Sequence, residues 1–219
     1  MDLLNDIYKE SPTKSKSRLN IINNAYDLFS KQGFDLFSLS DIADMCGITI
    51  RNLYRYYSSK EALITDVAYY HISSFNINNP ITLDNKLSGY EQLKDLLQRH
   101  IENKLLSDEN NTEITFIGYF DVYMTKSNLE HEAIKNYINF YAPRLKEKLL
   151  ESINQSLVKG VEDNTLNLKM SEVDCYVGYI YHSLMSLMSR IAVKRYEINI
   201  QKHDLIQKHI EIILDHLKK

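Results

Sequence analysis

Apolar positions along the chain recur at helical spacing, and one polar signature repeatedly precedes them. A serine or asparagine followed three residues later by an acid marks a helix start: the first side chain caps one free amide and the acid reaches back to another. The pairs Ser38 and Asp41, Ser58 and Glu61, Ser88 and Glu91, Asn110 and Glu113, Ser127 and Glu130, and Ser171 and Asp174 all stand ahead of apolar-periodic segments. An opening helix over about Ser17 to Lys31 that stops at Gly33, a short one after Thr49 and a closing one from about Asn199 to Leu217 bring the expectation to about nine helices. Alternation over Tyr176 to Tyr181 is compatible with a strand, but the stretch is embedded in a longer helical pattern, so no strand is expected. Phe75 to Ser88, rich in asparagine and aspartate and containing Pro80, reads as a loop, and so does Gly160 to Met170. Pro143 interrupts an otherwise helical Asn128 to Lys159 and should kink or break it just upstream, because proline lacks the amide and crowds the preceding turn. The pattern therefore predicts an all-α chain: a three-helix N-terminal unit, a helix from about Ser59 to Ser74 leading out of it, and a larger helical body.

Composition narrows the class. The chain has 219 residues, 44% of them apolar and 25% charged, with only six glycines and three prolines, which excludes collagen-like and disordered low-complexity sequences. Cys46 and Cys175 are neither clustered nor set beside histidine at metal spacing, so no disulfide framework and no zinc site is expected. The acidic opening MDLLNDIYKE does not fit a secretory signal, and the most apolar stretch, Tyr176 to Val193, is interrupted by His182, serines and Arg190. A soluble cytoplasmic protein without a membrane partner is the expectation. Charge is unevenly placed: from Thr13 to Lys60 seven basic side chains face four acidic ones, net +3, leaving −6 for the rest of a chain whose total is −3. A basic module on an acidic body points to an anionic partner at one end only.

The basic module carries the most specific chemistry, in SLSDIADMCGITIRNLYRYYSSKE from Ser38 to Glu61. Ile42, Ala43 and Cys46 face inward on a short helix, Gly47 permits a left-handed turn, Ile48 seals it and Thr49 caps a second short helix, which is helix-turn-helix spacing. Leu53 and Tyr57, four apart, belong on the buried stripe and leave Ile50, Arg51, Tyr54 and Arg55 outside. Arg51 can read a guanine edge or hold a phosphate, Asn52 can pair with adenine if turned outward, and Ile50 can touch a thymine methyl. Tyr54, Tyr56 and Lys60 suit phosphates, Lys60 lying in the first turn of the next helix. With the caps Ser38 and Thr49, these residues form the candidate DNA-binding set.

Phe29, Gly33, Ser38, Asp41 to Ala43, Gly47 to Ile48, Leu53 to Tyr54, Tyr57 and Lys60 to Glu61 follow one another as in a known pattern. The segment resembles the DNA-binding region of the TetR family of bacterial transcription regulators. The resemblance covers about residues 16 to 65, and it departs from the family at Arg51, usually Gly or Ala, and at Asn52, usually Thr or Ser. It implies an N-terminal helix-turn-helix DNA-binding domain (residues 1–60) and a larger helical ligand-binding and dimerisation domain (residues 61–219). It further implies a homodimer through the last two helices, a palindromic operator, and release of the DNA by a small-molecule effector. The sequence is compatible with such an interface. Ile206, Ile210, Ile213 and Leu217 stripe the last segment, Tyr176, Ile180, Leu184, Leu187 and Ile191 the one before, and Gly178, Ser183, Ser186 and Ser189 permit close approach.

Phe116, Phe120, Asp121, Tyr123, Tyr137, Tyr141, Tyr179, His182 and Met185 are candidates to line a cavity for an aromatic or amphipathic effector, though core packing explains such residues equally well. Asp121 could meet a cationic group. His203, His209 and His216 are spaced too widely on one helix to chelate one ion, and His131 lacks the second histidine of a zinc protease motif. No glycine-rich phosphate loop, G-x-S-x-G or CxxC is found, so neither catalysis nor a cofactor is expected. The expected function is a ligand-released repressor. Two other readings stay open: a DNA-binding regulator or chromosome-organising factor governed by a protein partner, and a helical enzyme with an incidental basic patch.

Overall fold

The computed structural model describes residues 11–78, 81–102, 111–192 and 201–219. Among these, ten α-helices follow in order: α1 (Pro12–Gln32), α2 (Leu39–Met45), α3 (Ile50–Leu53), α4 (Lys60–Asn78), α5 (Gly89–Asp95), α6 (Asn111–Lys126), α7 (Glu132–Asn136), α8 (Ala142–Glu162), α9 (Val173–Ala192) and α10 (Lys202–Leu217). A π-helical stretch, Leu96–Glu102, extends α5, and another, Tyr137–Tyr141, joins α7 to α8. The chain is all-α; extended pairing among the described residues is confined to an isolated bridge between Leu166 and Lys218.

The capping chemistry explains where several helices begin. Ser38 and Asp41 form a reciprocal box at the start of α2, and Ser88 and Glu91 form another at α5. At α4 the cap is Ser59 rather than Ser58: its hydroxyl accepts from the Ala62 amide at 3.1 Å. Ser127 does not cap either; its hydroxyl donates to the Tyr123 carbonyl, and α7 starts later, with the His131 ring accepting from the Ala133 amide. Asn110 and the expected helix start at Asn199 lie outside the described residues, as does Pro80.

Both expected loops begin later than their composition suggests. α4 continues to Asn78, because asparagine costs a helix only a few tenths of a kcal/mol and packing of Leu63 to Ala68 outweighs that. α8 likewise runs through Gly160 to Glu162. The break expected upstream of Pro143 takes the form of the π-helical Tyr137–Tyr141, a wider turn that ends just before α8 opens with Pro143 as its second residue.

The chain folds into two compact units, each discontinuous in sequence: one holds the described residues of 1–79 and 115–145, the other those of 80–114 and 146–219. The first unit packs Ile21, Ile22, Ala25 and Phe29 of α1 against Ile42 and Ala43 of α2, Leu53 of α3, Leu63 to Ala68 of α4 and Phe116 and Phe120 of α6. The second packs Leu93, Leu96 and Leu97 against Ile153 and Leu157 of α8, Ile180 and Leu184 of α9 and Ile206, Ile210, Ile213 and Leu217 of α10. No helix among the described residues is long and apolar enough to cross a membrane.

Candidate nucleic-acid interface

The turn between α2 and α3 is built by local hydrogen bonds. The Ser38 amide donates to Asp41 Oδ2 at 2.7 Å and the Ser38 hydroxyl donates to it at 2.8 Å, which holds the Asp41 carboxyl below the usual range, the backbone amide contributing most, and the same hydroxyl accepts from the Asp41 amide at 3.3 Å. Gly47 has φ of +65°, and a Cβ there would meet nothing within 4 Å, so glycine serves the left-handed backbone alone. The Ile48 amide returns to the Ala43 carbonyl at 3.0 Å, and Thr49 Oγ1 accepts from the Asn52 amide at 3.2 Å to open α3. The winding continues past Leu53, with the Tyr57 amide donating to the Leu53 carbonyl at 3.1 Å.

This winding sorts the side chains. Leu53 and Tyr57 are buried; Ile50, Arg51, Tyr54 and Arg55 are exposed, Tyr54 by 53%; Asn52 and Tyr56 are half-buried. Ser38 and Thr49 are at the surface, their side chains engaged as caps. Lys60 is placed differently from a free phosphate ligand. Its ammonium donates to the Phe37 carbonyl at 2.9 Å and sits 4.0 Å from the Phe37 ring centroid, and burial lowers its pKa against the pull of Asp35 and Glu61.

Beside α3 lies a groove of about 310 Å³ lined by Lys16, Ser17, Asn20 and Ile21 of α1 and by Cys46, Ile48, Asn52 and Tyr56. Lys16, Ser17 and Asn20 are exposed, Asn20 one helical turn along α1 from the other two, so the polar face next to α3 is wider than the α2–α3 segment alone. The spacing of these positions was visible in the sequence, but not which face of α1 borders α3.

Deeper in the same unit is a buried polar cluster that sequence reasoning missed. Asp66 of α4 accepts the Tyr57 hydroxyl at 2.5 Å, and Arg18 of α1 lies 3.7 Å from the same carboxylate oxygen. Arg18 therefore belongs to the interior and not to the basic surface. A single acid inside the apolar run Leu63 to Ala68 was the available signal.

The candidates for an effector cavity are divided. Phe116, Phe120, Asp121, Tyr123, Tyr137 and Tyr141 belong to the first unit, Tyr179, His182 and Met185 to the second. Phe116, Phe120 and Tyr137 are buried core side chains, Tyr123, Tyr141 and Met185 are half-buried, and Asp121, His182 and Tyr179 are exposed. Among the described residues no three His, Cys, Asp or Glu side chains gather as a metal ion requires.

Comparison with known proteins bears on this geometry. Residues 21–67 match the model of the bacterial regulatory proteins of the tetR family, a stretch that spans the latter part of α1, all of α2 and α3 and the first turns of α4. The chain is similar to two uncharacterised helix-turn-helix type transcriptional regulators of Bacillus subtilis (strain 168): YerO, 25% identical over 92% of this chain, and YdgC, 26% identical over 68%. It spans 64% of the length of YerO and 80% of YdgC. The fold is similar to that of the transcriptional regulator FadR from Bacillus subtilis in complex with stearoyl-CoA, with a TM-score of 0.63 at 16% identity over 90% of this chain and 98% of that one. It is also similar to a candidate transcriptional regulator from Saccharomonospora viridis in complex with choline, with a TM-score of 0.70 at 13% identity over 94% and 99%.

Proposed function

We propose that this chain, a TetR-family transcriptional regulator, binds a palindromic operator as a homodimer in the cytoplasm and is released from it by a small-molecule effector. The observation that carries the DNA-binding part is the sorting of α3: capped at Thr49, anchored by Leu53 and Tyr57, it presents Ile50, Arg51, Tyr54 and Arg55 to a partner. Arg51 supplies bidentate donors for a guanine edge, Ile50 a surface for a thymine methyl, and Tyr54 and Arg55 donors for phosphates. Lys16, Ser17 and Asn20 extend the phosphate-binding face along α1. Lys60 acts at one remove in this reading, holding the α1–α2 connection through the Phe37 carbonyl.

The division of labour at residue 60 is part of the proposal, as is dimerisation through α9 and α10. Tyr179, His182 and Ser186 fall on one exposed face of α9 and Ile212 is exposed on α10, which supports a helical interface there. Stearoyl-CoA and choline, bound by the two structural neighbours, are the first probes for an effector.

The deciding experiment is selection of binding sites from a random double-stranded DNA pool at stated, near-physiological salt, with an Arg51→Ala, Asn52→Ala variant in parallel, since phosphate contacts alone give binding without sequence preference. The expected result is enrichment of one near-palindrome with half-sites ~34 Å apart, lost in the variant. No enriched motif overturns the proposal. Operator affinity unchanged by each small molecule shown to bind the protein removes the effector part and favours control by a protein partner.

A further inference from the structure

Resting on the DNA-binding reading above, we propose that Tyr57, Asp66 and Arg18 form a positioning lock that fixes the orientation of α3 for base readout. Three parts of the first unit meet at this point: Arg18 from α1, Tyr56 and Tyr57 from the turn that follows α3, and Asp66 from α4. The Tyr57 hydroxyl donates to Asp66 Oδ2 at 2.5 Å, and a guanidinium nitrogen of Arg18 lies 3.7 Å from that same oxygen. The Arg18 guanidinium carbon also sits 5.1 Å from the centroid of the Tyr57 ring and 5.5 Å from that of Tyr56. Arg18 and Asp66 side chains are each only 7% exposed, so the cluster is an interior one.

The physical case turns on what such a cluster can contribute. A buried polar cluster adds little to stability over apolar side chains of similar volume, because desolvation offsets most of the attraction among its members. What apolar contacts lack is direction. α3 is a single turn, Ile50–Leu53, held in the core by Leu53 alone within the helix and by Tyr57 just beyond it. A helix so short, held only by non-directional contacts, can roll or slide by a fraction of a turn with small loss of buried area. The Tyr57 hydroxyl removes that freedom, because its bond to Asp66 fixes the far end of the ring against α4 while Arg18, beside the same carboxyl oxygen and over the Tyr57 ring, ties the cluster to α1. Arg51 on the outer face requires such fixing, since bidentate contacts to base edges fail under displacements that a phosphate contact tolerates. Tyr57, Asp66 and Arg18 are thus positioning residues and touch no DNA themselves.

The test uses the full chain as wild type, Tyr57→Phe, Asp66→Leu, which removes the acceptor, and the double variant. For each, the unfolding midpoint, the affinity for the selected operator and the affinity for a random-sequence duplex of equal length are measured at one salt concentration. Both single variants are expected to bind the random duplex as the wild type does and to lose about tenfold on the operator, the size of one well-placed base contact. The double variant is expected to match the weaker single one, because both changes remove the same hydrogen bond. Tyr57→Phe keeps the ring in the core, so it carries the test by itself if Asp66→Leu unfolds. A merely structural role shows as equal losses on both duplexes, or as a lowered midpoint with the operator preference intact, and either result overturns the lock. A wild type with no operator preference overturns the DNA-binding reading and the lock together; a wild-type preference that both variants keep overturns the lock alone.

Discussion

The two units solve the problem of a helical core with different materials. In the first, the buried side chains include Phe29, Phe34, Phe37, Phe116, Phe120, Tyr57 and Tyr137, whose rings meet at centroid distances such as 4.5 Å for Phe29 and Phe37 and 4.9 Å for Phe120 and Tyr137. In the second, the buried cluster is leucine, isoleucine and valine, with Tyr181 as its aromatic member. The polar interiors differ in the same sense. The first unit buries Arg18 and Asp66 and stacks His71 on Tyr26 at 3.6 Å, whereas the second buries Gln92, which donates to the Asp84 carbonyl, and serines bonded to their own helix. Rings and charges carry direction; aliphatic packing carries mainly shape. Direction is concentrated in the unit that holds α3, the short helix proposed to read DNA, and shape dominates in the other.

This contrast can be broken by substitution. The largest effect is expected from Phe116→Ala, which removes a ring buried among Tyr26, Phe34, His71 and Phe120 and should cost about 3–5 kcal/mol in chemical denaturation. Phe116→Leu keeps most of the apolar volume but not the ring and should cost about 1 kcal/mol more than the volume-conserving Leu93→Met in the second unit, the excess coming from lost ring pairing. Equal tolerance of Phe116→Leu and Leu93→Met in paired denaturation curves would mean that ring geometry contributes nothing special. Next in size is Gly89→Ala. A Cβ there would fall 2.0 Å from the Gly160 backbone nitrogen, so α5 and α8 must separate, at a cost of about 1–3 kcal/mol or more. A wild-type unfolding midpoint for this variant would show that the seam is not as close as the geometry requires.

Two buried titratable groups make the first unit's stability depend on pH. Burial raises the Asp66 carboxyl to about 8, so the folded state retains a proton that the unfolded chain releases near 3.8 and stability falls as pH rises through that window. Burial lowers the His71 ring to about 4, so stability is lost as pH falls from 6.5 towards 4. The two slopes oppose each other below pH 6.5 and leave Asp66 acting alone above it, where a decline of up to ~1.4 kcal/mol per pH unit is expected, reduced by the nearby Arg18. Hydrogen exchange of α4 amides across pH 5 to 8 reads this locally. Asp66→Asn should leave only the rise up to pH 6.5, and His71→Phe only the fall towards 8; identical profiles in all three proteins would remove both groups from the account.

Legibility from the sequence followed the same division between local and non-local causes. The capping boxes at Ser38 and Ser88, the left-handed Gly47, the Thr49 cap and the buried pair Leu53 and Tyr57 all depend on residues within four positions of one another, and each was readable in advance. Ser58 and Ser59 could not be separated, because adjacent serines offer the same hydroxyl. The length of α4 was underestimated because composition alone does not record how strongly neighbours pack on a helix. Asp66 was missed because its partner on α1 is 48 positions away in sequence and a periodicity argument treats an acid inside an apolar run as an interruption. The effector-cavity candidates fell into separate units for a related reason: spacing tells which side of a helix is buried, not which helices it meets.

The smallest expected effect is also the sharpest comparison, because the two units contain the same device. Ser38 with Asp41 and Ser88 with Glu91 make the same pair of bonds, with the serine amide donating to the acid at 2.7 Å in one and 3.0 Å in the other and the serine hydroxyl accepting at 3.3 Å in both. Both acids are held below their usual pKa by the serine amide first and its hydroxyl second, so the stabilisation is present at neutral pH and lost as pH falls through those lowered values. Ser38→Ala and Ser88→Ala should therefore destabilise by similar amounts, about 1 kcal/mol each. Their effects on DNA should differ. Ser38 opens α2, whose end sets the turn into α3, the helix proposed to read DNA, while Ser88 opens α5 in the other unit. Ser38→Ala should lower operator affinity and Ser88→Ala leave it unchanged at a temperature where both are folded. Equal losses of operator affinity would show that the orientation of α3 depends on the integrity of both units, and that the division between an aimed unit and a shape-packed one does not hold for function.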